Sequence, residues 1–138
     1  MLSVAEMIYF KGSIYRLMKK TMTFSEAQKS CKKWHSKSYL ASVHSMAEHD
    51  ALIGLLKNCK VSAAWLGGSD IKKEGTWRWD DGSKFSWTKW FPGEPNNHGG
   101  GQDCLLLVQD LWKTWGRSDQ DMWDDGTCTK KFAYVCKV

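Results

Sequence analysis

The stretch Ala63-Ala64-Trp65-Leu66-Gly67-Gly68 marks the point where this chain changes character. A short apolar run closed by a glycine pair reads as a strand and the turn that ends it. From there on, short strands and turns follow one another. Trp77 and Trp79 alternate with Arg78, so both face one side of a strand, and Asp81-Gly82 marks a turn. Leu105–Val108 is a buried-strand run beside Cys104, and Phe132–Val138 alternates again and closes the chain. Upstream the punctuation is helical. Thr23 followed by Glu26 is a capping box, opening a helix to about Trp34 with Phe24, Ala27 and Cys31 on one stripe. Ser45 followed by Glu48 repeats the device and opens a second helix with Leu52, Ile53, Leu55 and Leu56 inward. Ahead of both, Met7–Leu17 alternates weakly and reads as a strand with a turn at Gly12. Two helices first and strands after them predict an α+β class with an antiparallel sheet. Between Asp80 and Gly101 the chain is mostly irregular, which in a compact domain is usually a functional or a disordered segment.

The length of 138 residues suits one domain over 1–138, with no Pro/Gly/Ser linker to divide it. A hydrophobic fraction of 42% with 25% charged residues fits a globular protein rather than a disordered chain. No apolar run approaches the roughly 18 residues that a membrane span needs. The formal charge of +5 invites a nucleic-acid or anionic-surface reading, but its distribution weakens that reading. Residues 1–60 carry +6 and residues 61–138 carry −1. From Glu94 to Asp125 seven carboxylates face only Lys113 and Arg117. Clustered carboxylates raise one another's pKa unless a cation joins them, so this segment is either a solvated acidic loop or a hard-cation site. The lysine pairs Lys19-Lys20 and Lys32-Lys33 read as solvated faces, and no nucleic-acid partner is expected.

The five cysteines, Cys31, Cys59, Cys104, Cys128 and Cys136, lack the C-x-x-C spacing of zinc and redox motifs. An oxidised, secreted protein is the natural reading. Met1–Phe10 has neither a basic region nor a long apolar one, so a secretory signal is expected to have been removed already. Four cysteines allow two bridges in three connectivities, with a fifth left over, and spacing does not choose among them.

Ala64-Trp65-Leu66-Gly67-Gly68, Glu74-Gly75-Thr76-Trp77, Trp90 before Gly93-Glu94-Pro95-Asn96, Asp103-Cys104, Trp123-Asp124-Asp125 and the closing Cys136 together resemble the C-type lectin-like domain, in its short form. The resemblance runs from about Tyr9 to the end. It implies bridges Cys31–Cys136 and Cys104–Cys128, leaving Cys59 outside both, either as a buried thiol or as an interchain bridge in a homo-oligomer. It implies a cis bond before Pro95. It also implies a Ca2+ site at Glu94, Asn96, Gln102, Asp124 and Asp125, at which two hydroxyls of a sugar's vicinal diol complete the metal's coordination. A second calcium site would use Asp70, Glu74, Asn97, Gln102 and Asp103. Two of those five are amides, so weak or absent occupancy is expected there.

The mannose-type members of the family carry an acid where Gln102 stands and an amide where Asp124 stands. Here the two have exchanged character while three carboxylates (Glu94, Asp124, Asp125) are kept, which argues for a working site. The exchange sets acids and amides on a diagonal, as in galactose-type members, and points to galactose-like sugars. Glu94-Pro95-Asn96 itself, with His98, points to mannose-type sugars. Trp112 and Trp115, in the 23-residue connection between Cys104 and Cys128, are candidates for an aromatic platform against a sugar face. Trp65, Trp77, Trp79 and Trp90 are expected to be core or near-core. The S-x-x-K matches at Ser30 and Ser86 lack their companion motifs, so no enzyme is expected. The competing reading is a lectin-like fold used for protein recognition or ice binding.

Overall fold

The computed structural model describes residues 6–91, 93–95, 103–109 and 121–138. In chain order they form β1 (Met7–Phe10), β2 (Ser13–Met22), α1 (Phe24–Trp34), β3 (Tyr39–Leu40) and α2 (Met46–Asn58). Then come β4 (Ala63–Ser69), β5 (Arg78–Trp79), β6 (Cys104–Val108), β7 (Met122–Gly126) and β8 (Phe132–Lys137). The single N-terminal strand expected with a turn at Gly12 is a hairpin. Lys11 and Gly12 both take positive φ, and Tyr9 pairs with Ile14 across the turn.

The sheet runs β1-β2-β8-β4-β6-β7, with β3 on β8 and β5 on β4. It is mixed rather than antiparallel throughout. The C-terminal strand β8 inserts between β2 and β4 instead of adding to an edge. It pairs antiparallel with β2 and parallel with β4, where Ala64 meets Ala133 and Trp65 meets Tyr134. Central insertion explains why the central strands read as continuous apolar runs: both faces are covered. Alternate side chains go to opposite cores. Ala64, Leu66, Leu105, Leu107, Ala133 and Val135 pack with Leu52, Leu55 and Leu56 of α2. Trp65, Leu106, Tyr134 and Cys136 pack with Phe24, Ala27 and Cys31 of α1. The inward residues expected of both helices are buried.

The two helix starts differ. At α1 the capping box is complete, with Thr23 Oγ1 accepting from Glu26 N–H and the Glu26 carboxylate accepting from Thr23 N–H. At α2 only half of it forms. Ser45 accepts from Glu48 N–H, but the Glu48 carboxylate turns inward to Tyr15 Oη, the His44 N–H (2.7 Å) and the Lys137 ammonium (2.7 Å). Burial alone would raise the Glu48 carboxyl, yet these three donors hold it below its ordinary value. A buried ion pair thereby ties the hairpin, α2 and β8 together.

The disulfides are Cys31–Cys136, joining α1 to β8, and Cys104–Cys128, joining β6 to the turn after β7. Cys59 caps the end of α2 at 8% exposure, inside the α2 core, and burial pushes its thiol pKa up. A bridge from Cys59 to a second copy would require this packing to open, so the fold favours the buried-thiol alternative.

Gly67 permits the closest approach in the sheet. A Cβ there would lie 2.5 Å from the Leu40 carbonyl oxygen. The backbone of Gly67 donates to Ala41 (2.9 Å) and accepts from Asp80 N–H (2.8 Å), which seats the start of the irregular segment. Gly67→Ala should therefore cost about 1–3 kcal/mol, read as a lower urea midpoint at unchanged slope. Cys31→Ser with Cys136→Ser opens a bridge between residues 105 apart. Loop entropy puts the loss at roughly 4–5 kcal/mol, measured by the same unfolding experiment.

Candidate metal centre

The segment after β5 forms almost no ladder of its own, and it is sewn to β7 at one residue. Trp123 N–H donates to the Lys89 carbonyl (2.8 Å), Phe91 N–H donates to the Trp123 carbonyl (2.9 Å), and Trp90 forms a parallel bridge with Trp123. Glu94 N–H then donates to the Phe91 carbonyl (2.9 Å), closing a turn that delivers Glu94. The Glu94–Pro95 peptide is cis, as the resemblance implied. The Trp123 ring is fully buried, with Trp79, Phe85, Trp87 and Trp90 all packed on it at angles of 61° or more.

Directly after Trp123 come Asp124 and Asp125. They are fixed by the β6–β7 ladder, in which Leu106 pairs with Asp124 and Leu105 with Asp125. Glu94, Asp124 and Asp125 bring carboxylate oxygens within 4.8 Å of one another. These are the three carboxylates of the set that the resemblance implied. The Asp124 carboxylate accepts from Asp125 N–H (2.8 Å), and Asp125 is 2% exposed. Burial, and then the charge of Asp125, push the Asp124 carboxyl above its ordinary value, although the Asp125 N–H opposes the shift. Gathered oxygen donors of this kind suit a hard cation such as calcium. The amides expected to complete the set, Asn96 and Gln102, lie outside the described residues, as do His98, Trp112 and Trp115.

A second acidic group lies at the end of β4. Asp70, Glu74 and Asp103 also bring carboxylate oxygens within 4.8 Å of one another. Asp70 N–H donates to the Asp103 carbonyl (3.0 Å), and Gly75 N–H donates to Asp70 Oδ2 (2.9 Å). The other oxygens, Asp70 Oδ1 and Asp103 Oδ1, are buried with no hydrogen-bond donor among the described residues. A buried anionic oxygen without a donor is costly, and a bound cation would satisfy it. The donor set is therefore compatible with a hard cation. Asn97 and Gln102 lie outside the described residues. Glu74 is pushed up to about 7, by desolvation first and then by Asp103 and Asp70.

Sequence reading missed His49. It is 1% exposed, on the inward face of α2. Its Nδ1 lies 3.2 Å from Trp123 Nε1, an obligate donor, so Nδ1 accepts and the proton of the neutral ring sits on Nε2. Nε2 then donates to the Asp121 carbonyl at 2.7 Å. Burial lowers the His49 pKa, consistent with a neutral ring. The signal was available: His49 stands three and four residues ahead of Leu52 and Ile53, on the stripe that faces the core.

The lectin C-type domain family matches residues 20–138. A lectin from Pleurodeles waltl is 32% identical over 128 residues, covering 91% of this chain and 70% of that protein. The alpha-N-acetylgalactosamine-specific lectin of Patiria pectinifera is 30% identical, covering 94% of this chain and 76% of that protein. Among solved structures, the cow C-type carbohydrate-recognition domain of CD23, determined in the presence of a GlcNAc2Man3 oligosaccharide, is similar at a TM-score of 0.80. It is 27% identical and covers 96% of this chain and 92% of that one.

Glu74 supplies a test in the metal-free state. Between its ordinary value of 4.5 and about 7 the folded chain keeps a proton that the unfolded chain has lost. Its contribution to stability therefore falls as pH rises across that window and levels off above it. In chelator, the wild type should lose thermal stability relative to Glu74→Gln as pH rises from acid to neutral. Saturating calcium should raise the wild-type midpoint more than that of the variant.

Proposed function

This chain belongs to the C-type lectin family, a family of binding modules rather than enzymes, and from that premise we propose that it is a calcium-dependent carbohydrate-binding lectin. The observation that carries the reading is the convergence of Glu94, Asp124 and Asp125 within 4.8 Å. Calcium would be held by these three carboxylates with Asn96 and Gln102. Its remaining positions would take the 3- and 4-hydroxyls of a terminal hexose. Calcium accepts six to eight oxygens, so five protein residues leave room for both. Each bound hydroxyl donates to an acid and accepts from an amide: Glu94 with Asn96 for one, Asp124 with Gln102 for the other. Nothing in this exchange needs a nucleophile or a proton relay.

Galactose-type sugars are the favoured ligands, because Gln102 and Asp124 place acids and amides on a diagonal. The Patiria relative, named for a galactose-type sugar, supports this choice. Glu94-Pro95-Asn96, His98 and the mannose-containing oligosaccharide present with the cow domain support mannose-type sugars as the competing choice. Trp112 and Trp115 would form the aromatic platform. Asp70, Glu74 and Asp103, with Asn97, form the candidate second calcium site. Secretion accords with the two disulfides, and no helix among the described residues is long and apolar enough to cross a membrane. A single site with few contacts binds a monosaccharide weakly, so useful avidity calls for a homo-oligomer.

A glycan array probed in calcium and then in chelator tests the reading. Binding should require calcium and should be abolished by Asp125→Asn, with galactose inhibiting more strongly than mannose. Sugar binding that survives chelator at this site, or no sugar binding at all, would sink the proposal in favour of protein or ice recognition. Inhibition by mannose alone would overturn only the galactose assignment.

A further inference from the structure

A cleft of about 330 Å³ opens between α1 and the stretch that runs from the end of β4 past β5 to Phe85. None of the six clustered carboxylates lines it. Its volume falls at the lower end of the range for small-ligand sites, roughly 300–1,000 Å³. One wall is aromatic. Trp77 and Phe85, both half-buried, stand 6.4 Å apart with their planes 34° from parallel. The rest is polar and mixed in kind. Arg78 and Lys72 are exposed cations, and Gln28 Nε2 donates to Asp80 Oδ1 at 2.9 Å. Trp79, also in the lining, is only 3% exposed, and its indole N–H has no acceptor among the described residues.

We propose that this cleft is a second, calcium-independent site for one uncharged hydroxylated ring, a neutral pyranose. Such a ring offers an apolar C–H face, which packs against an aromatic wall. Its hydroxyls both donate and accept, which requires a lining that holds donors (Arg78, Lys72) together with an acceptor (Asp80). Charge speaks against an acidic ligand. Over residues 69–85 four acids (Asp70, Glu74, Asp80, Asp81) balance four bases (Lys72, Lys73, Arg78, Lys84). Trp79 also lines the cleft, so its indole N–H signal can report an occupant. The site stands apart from the calcium reading and survives the failure of that reading.

The test is an isotope-labelled NMR titration in EDTA that follows the indole N–H resonances. The probes are methyl α-galactoside, methyl α-mannoside, chitotriose and galactose 6-sulfate. At least one neutral probe should shift the Trp79 and Trp77 indole signals saturably. Trp77→Leu and Arg78→Ala should each weaken that binding about tenfold, whereas Asp125→Asn should leave it unchanged. Should Trp77→Leu fail to fold, Arg78→Ala decides, since its side chain is exposed. The proposal is overturned if no neutral probe moves the Trp79 signal, if Arg78→Ala binds as wild type, or if only the sulfated sugar binds.

Discussion

A segment with no strand partner of its own must still find donors and acceptors for its backbone, and in this protein the chain from Lys89 to Phe91 finds them on Trp123. The same residue gives its indole N–H to His49 and its ring to four other aromatics. Trp123 is therefore the joint between the irregular segment and the sheet. Glu94 arrives from one side of that joint, while Asp124 and Asp125 follow directly on the other. If Trp123 shifted, the three carboxylates would separate.

Holding those carboxylates together works against electrostatics. Asp124, Asp70 and Glu74 all hold protons more tightly than free carboxyls do, first because burial desolvates them and then because other acids stand beside them. Rigid framing keeps them from moving apart: the β6–β7 ladder beneath one group, and the Asp70–Asp103 backbone bond beneath the other. A divalent cation would relieve the repulsion and replace the retained protons. The overall +5 conceals this arrangement, because the excess positive charge belongs to the first 60 residues.

The tryptophans divide along similar lines. Trp65 is fully buried in one core, Trp123 and Trp79 are buried against each other in the other, and Trp77 and Trp90 are half-buried. The aromatic load is concentrated in the second half of the protein, where Trp79, Phe85, Trp87 and Trp90 pack around Trp123.

The helices, the inward stripe of each and the strand runs were legible in the sequence because periodicity and capping are local. The three carboxylates Glu94, Asp124 and Asp125 came from the family resemblance, carried by Glu94-Pro95-Asn96 and Trp123-Asp124-Asp125. The half-formed cap at Ser45 was not legible, since Glu48 is drawn away by Lys137, a residue 89 positions later. Nor was the parallel pairing of β4 with β8, because where a closing strand inserts depends on which faces remain uncovered after the rest has packed. The partners of His49, Trp123 and Asp121, and the cleft beside Trp77 are likewise products of assembly. The sequence alone determined which residues are apolar, which are acidic and how the chain is punctuated. Only the tertiary structure decided which acids meet, because charges distant in sequence are brought together by a sheet whose strand order is set by long-range packing.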